Sequence, residues 1–315
     1  MAKRSLGVFW LAVLAISATS AVAQTNCPAN PNGLGISRTV EIDTTGGPGF
    51  GLEHYKAHDF LLPQEVVLTF DDGPWPTTPL VLQALAAHCT KATFFTIGKN
   101  AMAFPEVMRQ VASAGHTIGT HTWSHANLAG KGMTPAKATE EIEKGFSAVK
   151  VAMGTGTPAS FFRFPGLKGP TEMINYLGTR NIAIFSTDID SFDFKMRTGD
   201  AVAKSVLDRL EKKGKGIVLL HDYQKHTAAG SMELLNQLKA KGYKIVHMRA
   251  KSNVTTIAEY DEKARAEFKA PVGDTRPTST VVKTVPPGKS CSLIDVDLAS
   301  RGASAPLFLS PLVEI

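Results

Sequence analysis

Short apolar runs rich in β-branched and aromatic residues recur along this chain, at residues 65–70, 92–97, 117–121, 160–164, 182–187, 216–221 and 244–248. Between them apolar residues return every three or four positions, over 79–89, 105–114, 135–152, 171–180, 200–213 and 228–241. The first kind of run reads as buried strand and the second as amphipathic helix. Punctuation supports the helices: Pro79, Pro105 and Pro135 stand near three starts, and Gly115, Gly214 and Gly242 just past three ends, the places where each residue type is favoured. Strands that alternate with helices in this way are parallel and joined by right-handed crossovers. An open dinucleotide-binding sheet would carry G-x-G-x-x-G after its first strand and gather its polar residues at one switch point. This chain lacks that glycine pattern, and polar clusters follow five of its seven strand runs. A closed barrel is the better expectation.

The two ends differ from this middle. Lys3 and Arg4 precede an apolar stretch from Leu6 to Ile16, which leads to Ala21-Val22-Ala23, the pattern of a secretory signal peptide cleaved after residue 23. That stretch falls short of the ~20 residues a membrane span needs, and no later segment approaches that length, so no transmembrane segment is expected. Residues 24–64 are rich in Gly, Pro, Asn and Thr and read as an irregular extension, strand-like only near Arg38–Glu41. Residues 251–315 form a C-terminal extension that is charged and then rich in Pro and Thr over 271–287, a composition that packs poorly. The expected protein is therefore exported, into the periplasm or the medium.

The 315 residues, 43% of them apolar, suffice for one large α/β domain. The formal charge of +6 falls by two when Lys3 and Arg4 leave. With no basic block interleaved with aromatics, nucleic acid is not an expected partner. Three cysteines are an odd number for an exported chain. Cys89 ends a helical pattern and reads as a buried apolar side chain, which leaves Cys27 and Cys291, in the irregular ends, as the expected disulfide.

The chemistry lies at the strand ends. If the runs are parallel barrel strands, their C-terminal ends open on one mouth, and residues distant in sequence meet there. Asp71 and Asp72 follow the first run; as neighbours on an extended chain they point opposite ways and can hold separate roles. His121 and His125 follow the third run. On a helical turn their i, i+4 spacing would put both on one face, able to grip one metal, zinc or a first-row neighbour. Arg163 follows the fourth run, Asp190 and Asp193 the fifth, and His221 ends the sixth. His54 and His58 share the four-residue spacing but have no strand to aim them, and are assigned no role. Asp188 reads as structural, and Asp222 as a turn cap.

In order and spacing these clusters resemble the polysaccharide deacetylases of carbohydrate esterase family four, which share the NodB-homology domain. Thr69-Phe70-Asp71-Asp72-Gly73-Pro74 resembles the first motif of that family and His121-Thr122-Trp123-Ser124-His125 the second. Phe162-Arg163-Phe164-Pro165-Gly166 is similar to the third, Asp190-Ser191-Phe192-Asp193-Phe194 to the fourth, and Val218-Leu219-Leu220-His221-Asp222 to the fifth. The resemblance spans roughly residues 65–248 and implies a distorted (β/α)7 barrel resembling a TIM barrel. It implies further that Asp72, His121 and His125 bind a divalent metal, zinc foremost with cobalt or nickel as alternatives. Asp71 would be the general base, with Arg163 as its charge partner. His221 would be the general acid, supported by Asp193. Phe194 and Leu219 would shape a slot for the acetyl methyl, and Pro165 and Gly166 would line the substrate, the Gly166 N–H facing the oxyanion. Gly166 stands where the family has an aromatic residue and Phe194 where it has Trp, so the groove is expected to be more open than usual.

The activity so implied is removal of N-acetyl groups from the amino sugars of a polysaccharide such as peptidoglycan or a chitin-like glycan. An amide nitrogen leaves poorly unless protonated, which is why a separate acid with the pKa of histidine belongs in such a site. The same residues would serve an O-acetyl esterase of the acetylxylan type, where the acid matters less. A catalytically silent glycan-binding protein on the same barrel would be expected to lack a ligand or Asp71, and this chain keeps both. An amidase acting on something other than sugar is a further reading; Trp75 and Trp123 are the aromatics best placed to stack on sugar.

Overall fold

A computed structural model describes Cys27 and residues 30–267. The proposed leader, the Pro/Thr-rich stretch over 271–287 and Cys291 lie outside the described residues. The elements in chain order are β1 (Arg38–Ile42), β2 (Gly49–Phe50), β3 (Glu65–Asp71), α1 (Thr78–Ala87), β4 (Thr93–Thr96), α2 (Gly98–Ala103), α3 (Pro105–Ser113) and β5 (Thr117–Thr120). Then come α4 (Pro135–Met153), β6 (Phe161–Phe162), α5 (Thr171–Thr179), β7 (Ala183–Phe185), β8 (Ile189–Asp190), α6 (Gly199–Lys213), β9 (Gly216–His221), α7 (Lys225–Ala240), β10 (Lys244–Ala250) and α8 (Ala258–Glu267). Every strand pairing between them is parallel.

Hydrogen bonding runs from β3 through β4, β5 and β6 to β7, while β9 pairs with β3 on one edge and β8 on the other. β7 and β8 are two halves of one stave, broken at residues 186–188, so the ring closes through the chain itself. Residues on β3 show why both faces of such strands are apolar. Val66, Leu68 and Phe70 point outward into a layer shared with Val81, Leu85, Val206 and Leu235 of the helices. Val67, between them, points inward to meet Phe95, Phe161, Phe185 and Ile217. The period of two continues, so Thr69 and Asp71 face the barrel interior as well. The same alternation on the strand of Phe161 sends Phe162 and Phe164 outward to Phe146 and Arg163 inward.

Two expectations change at the lower end of the barrel. The seventh strand run, β10, is a stave only at its start, where Lys244 and Ile245 pair with Glu65 and Val66. From Val246 onward it pairs with β1 and fills the base of the interior with Val246 and Met248. The N-terminal extension is accordingly less irregular than its composition suggests, since β1 and β2 both join the sheet. At the other end of the chain, residues 258–267 form a helix. Ion pairs from Lys144 to Glu267 and from Lys150 to Asp261 fasten it to α4.

The expected bridge from Cys27 to Cys291 is replaced by a disulfide between Cys27 and Cys89. Cys89 sits just past α1 with φ of 49°, turned out of the helix toward the N-terminal segment rather than into the core. No helix among the described residues is long and apolar enough to cross a membrane.

Candidate active site

Asp71 and Asp72 leave β3 with different jobs already set by the backbone. Asp71 is the last strand residue and is 2% exposed. Asp72 takes a left-handed conformation, φ 72°, pinned by its own N–H donated to the Phe95 carbonyl and by Asn100 Nδ2 donating to its carbonyl at 2.6 Å. The turn that follows lies against Asp222, which is fully buried and accepts the Thr78 hydroxyl at 2.6 Å. A Cβ at Gly73 would collide with the Asp222 carboxyl, so only glycine allows the turn to seat.

Arg163 is wholly buried. Its Nη1 donates to Asp71 Oδ1 at 2.7 Å and to Thr69 Oγ1 at 2.8 Å, its Nη2 to the Ser186 carbonyl at 2.8 Å, and its Nε to the Phe185 carbonyl at 3.3 Å. The guanidinium lies 4.2 Å from the Phe95 ring centroid, a cation–π contact. The fork thus holds one oxygen of Asp71 and leaves Oδ2 turned toward His121, 4.0 Å from Nε2.

His121 and His125 are not on a helix. The chain passes from β5 into a loop with left-handed Thr122 (φ 68°) and His125 (φ 61°), and this brings the two rings to a centroid separation of 5.0 Å. Glu141 of α4 holds the loop, accepting from Ser124 N and Oγ at 2.8 Å each. His121 Nδ1 meets the Arg163 carbonyl at 2.7 Å; a carbonyl only accepts, so Nδ1 carries the proton and Nε2 offers a lone pair. Burial, partly countered by Asp71 and Asp72, pushes the ring below the usual imidazole range, toward the neutral form a metal needs.

Asp72 Oδ1 stands 3.5 Å from His121 Nε2 and 3.3 Å from His125 Nε2. One ligand atom from each of the three residues falls within 4.8 Å of the others. Asp72 Oδ1 is buried and has no hydrogen-bond partner among the described residues, although buried carboxylate oxygens are normally satisfied. Two imidazole nitrogens and a carboxylate oxygen around an orphaned buried acceptor suit a first-row divalent cation and leave coordination positions open.

Across the mouth, His221 ends β9. Its Nδ1 pairs with Asp193 Oδ1 at 2.7 Å, while Asp193 Oδ2 accepts from the His221 N–H at 2.7 Å and from Thr227 Oγ1 at 2.6 Å. The ring is thereby aimed with Nε2 3.9 Å from Asp72 Oδ2. Burial opposes charge on this ring, but the Asp193 hydrogen bond and the charges of Asp193, Asp71 and Asp72 outweigh it and raise its pKa to about 9. Leu219 lies buried two residues back on the same inward face, and Phe194, 49% exposed, meets the His221 ring edge to face with the ring centroids 6.0 Å apart. Pro165 begins the short turn after Phe164, and Gly166 within it has φ of 61° with open space where a side chain would stand.

Other residues fall elsewhere. Asp190 accepts its own loop's Phe192 N–H at 2.8 Å. Asp188 is structural, accepting the Leu52 and Ile217 N–H groups at 2.6 Å each. His54 meets Ser186 Oγ and His58 packs on Phe50, so the pair shares no site. Trp75 is 39% exposed, whereas Lys144 Nζ covers the Trp123 ring at 4.2 Å from its centroid. Asp222 is more than a turn cap: burial, with Asp72 and Asp71 adding to it, lifts its pKa to about 7. Glu141 and Thr227 support the site without any sequence signal of their own, because a lone Thr or acid on a helix has no distinguishing pattern.

The sequence model of the polysaccharide deacetylase family matches residues 61–182. A peptidoglycan-N-acetylglucosamine deacetylase of Bacillus cereus is 33% identical over 191 residues, 58% of this chain and 66% of that protein. A chitooligosaccharide deacetylase of Azorhizobium caulinodans is 32% identical over 50% of this chain and 73% of its own length. Among solved structures, a peptidoglycan deacetylase of Bdellovibrio bacteriovorus superposes with a TM-score of 0.61 at 31% identity, covering 68% of this chain and 59% of that one. This chain belongs to the polysaccharide deacetylase family. It spans a little under two thirds of the Bacillus relative's length.

Proposed function

We propose that the protein is a metal-dependent hydrolase that removes N-acetyl groups from the amino sugars of a polysaccharide, peptidoglycan or a chitin-like glycan. The observation that carries this reading is the convergence of five strand ends on one mouth. There the Asp72, His121 and His125 ligand atoms share one point, with Asp71 on one flank and His221 on the other. The names of the Bacillus and Azorhizobium relatives support the substrate class.

Asp72, His121 and His125 would hold the cation, zinc foremost, with cobalt or nickel as alternatives. Bound there, it supplies a Lewis acid for the acetyl carbonyl and lowers the pKa of a coordinated water toward ~7. The chain's own groups do the rest. Asp71 accepts the proton of the attacking water at Oδ2, the oxygen that Arg163 leaves free. The C–N bond then breaks, and the nitrogen takes the proton on His221 Nε2 as it departs as an amine. Asp193 steadies the imidazolium before that transfer. The acetyl carbon leaves as acetate carrying the water oxygen. Leu219 and Phe194 would confine the acetyl methyl, and the Gly166 N–H beside Pro165 would meet the oxyanion. A held proton donor matters for an amine and much less for an alkoxide, which favours amide over ester chemistry here. Export to the periplasm or medium fits a polymer substrate.

Acetate release over a panel of peptidoglycan, chito-oligosaccharides and acetylxylan tests the reading. His221→Ala is expected to cut amide turnover by about 10²- to 10⁴-fold. Amide turnover spared, or release from acetylxylan alone, would contradict it.

A further inference from the structure

At the end of the barrel away from this site, a cavity of about 480 Å³ opens where β1 and β10 pass the starts of β4, β5 and β6. Four basic groups line it: Lys91 just before β4, His116 just before β5, and His247 and Arg249 on β10. No aspartate or glutamate is among its lining residues. Lys91 and Arg249 take part in none of the ion pairs among the described residues; Lys91 has only the Ala114 carbonyl. Lys91 is half-buried and Arg249 exposed; Glu41, opposite Arg249 in the β1–β10 register, forms no ion pair with it among the described residues.

The hydrogen-bond polarity points the same way. The Ala92 N–H donates to His116 Nδ1 at 3.2 Å, so the neutral ring carries its proton on Nε2, and no acceptor among the described residues meets it. His116 is only 9% exposed. Thr117 donates its hydroxyl proton to the Met248 carbonyl at 2.6 Å, and its oxygen takes the His247 Nε2–H at 2.9 Å. Burial, and then repulsion from Lys91 and the other imidazole, pushes His116 down to about 3. Burial, then Arg249 and Lys91, pushes His247 to about 4. The four groups therefore feel one another with no acid between them. The cleft offers two full positive charges and a spare N–H donor, while Ile36, Ala112 and Met153 form an apolar wall.

We infer that this cavity is a second binding site, distinct from the deacetylase centre, for a small organic phosphomonoester. A carboxylate brings one charge and two oxygens. A phosphomonoester brings about −1.5 to −2 charges at neutral pH and three acceptor oxygens, which matches two cations and an imidazole N–H. The volume lies in the range of small-molecule sites, and the apolar wall suits the body that carries the phosphate.

The test is calorimetric titration of the full chain at low salt with glucose 6-phosphate, inorganic phosphate and glucuronate. One-to-one binding is expected, with glucose 6-phosphate tighter than phosphate and glucuronate weakest. Lys91→Met and Arg249→Met should each weaken glucose 6-phosphate by roughly tenfold or more, the loss of a charge-assisted hydrogen bond, with melting temperatures unchanged. In the wild-type chain, saturation should shift the His116 and His247 imidazole resonances and leave that of His54 in place. Glucuronate binding as tightly, binding untouched by both substitutions, or imidazole signals that stay still under saturation would each overturn the proposal.

Discussion

At the scale of single residues, the site is a set of side chains each with one atom engaged and one left free. Arg163 holds Asp71 Oδ1 and leaves Oδ2; the Arg163 carbonyl holds His121 Nδ1 and leaves Nε2; Asp193 holds His221 Nδ1 and leaves Nε2. Arg163→Lys cannot reproduce a fork that spans Thr69, Asp71 and Ser186. Arg163→Met leaves the Asp71 charge buried and unpaired, which is expected to cost about 3–5 kcal/mol in urea denaturation. Asp222 carries a separate prediction. Its folded pKa of about 7 lies above the ordinary carboxylate value of 3.8, so folding favours its protonated form. The stability it contributes is complete below pH 3.8 and is lost as pH rises through about 7. Asp222→Asn keeps an acceptor for Thr78 and removes the titration. At pH 8 it is expected to be more stable than wild type by up to about 4 kcal/mol, and the advantage should vanish near pH 4; an advantage independent of pH would refute the assignment. The motif residues were legible in the sequence because each follows an apolar strand run. Asp222 as a buried acid was not, since its burial depends on the Gly73 turn packing over it.

At the scale of elements, strands were legible and the bends between them were not. The His121–His125 spacing invited a helix, yet left-handed Thr122 and His125 with the Glu141 clamp achieve the same convergence in a loop. Glu141→Ala should therefore lower metal affinity by about 10- to 100-fold, as loss of outer support does at metal sites, measured by competition with a chromogenic chelator; unchanged affinity would show the loop to be self-supporting. The disulfide was misassigned because Cys89 looked like the end of a helix face. The left-handed turn that exposes its sulfur to Cys27 leaves no trace in hydrophobic periodicity. Sixty-two residues separate the two cysteines. Chain-entropy reasoning gives a contribution of about 4 kcal/mol, so Cys27→Ser or reduction is expected to lower the melting temperature, and an unmoved melting temperature would speak against the bridge. β10 was read as a seventh stave because its apolar content is that of a strand; only the pairing partners reveal that it turns beneath the barrel.

At the scale of the whole molecule, a parallel barrel sends its strand ends to one mouth, and the family's motifs occupy that mouth. The architecture also explains why five clusters spread over some 150 residues act together, since each needs only its own strand to be aimed. The opposite end, plugged by β10 and β1, holds the basic cleft and a different prospect. The proposed function requires that Asp72, His121 and His125 hold one cation on which turnover depends. The most direct measurement is acetate release from an N-acetylated chito-oligosaccharide by chelator-treated protein titrated with zinc, alongside metal analysis of wild type and Asp72→Asn. Activity is expected to be abolished by chelator and restored at one zinc per chain, with Asp72→Asn retaining its fold but neither zinc nor turnover. Full activity in strong chelator, or zinc held equally well by Asp72→Asn, would contradict it.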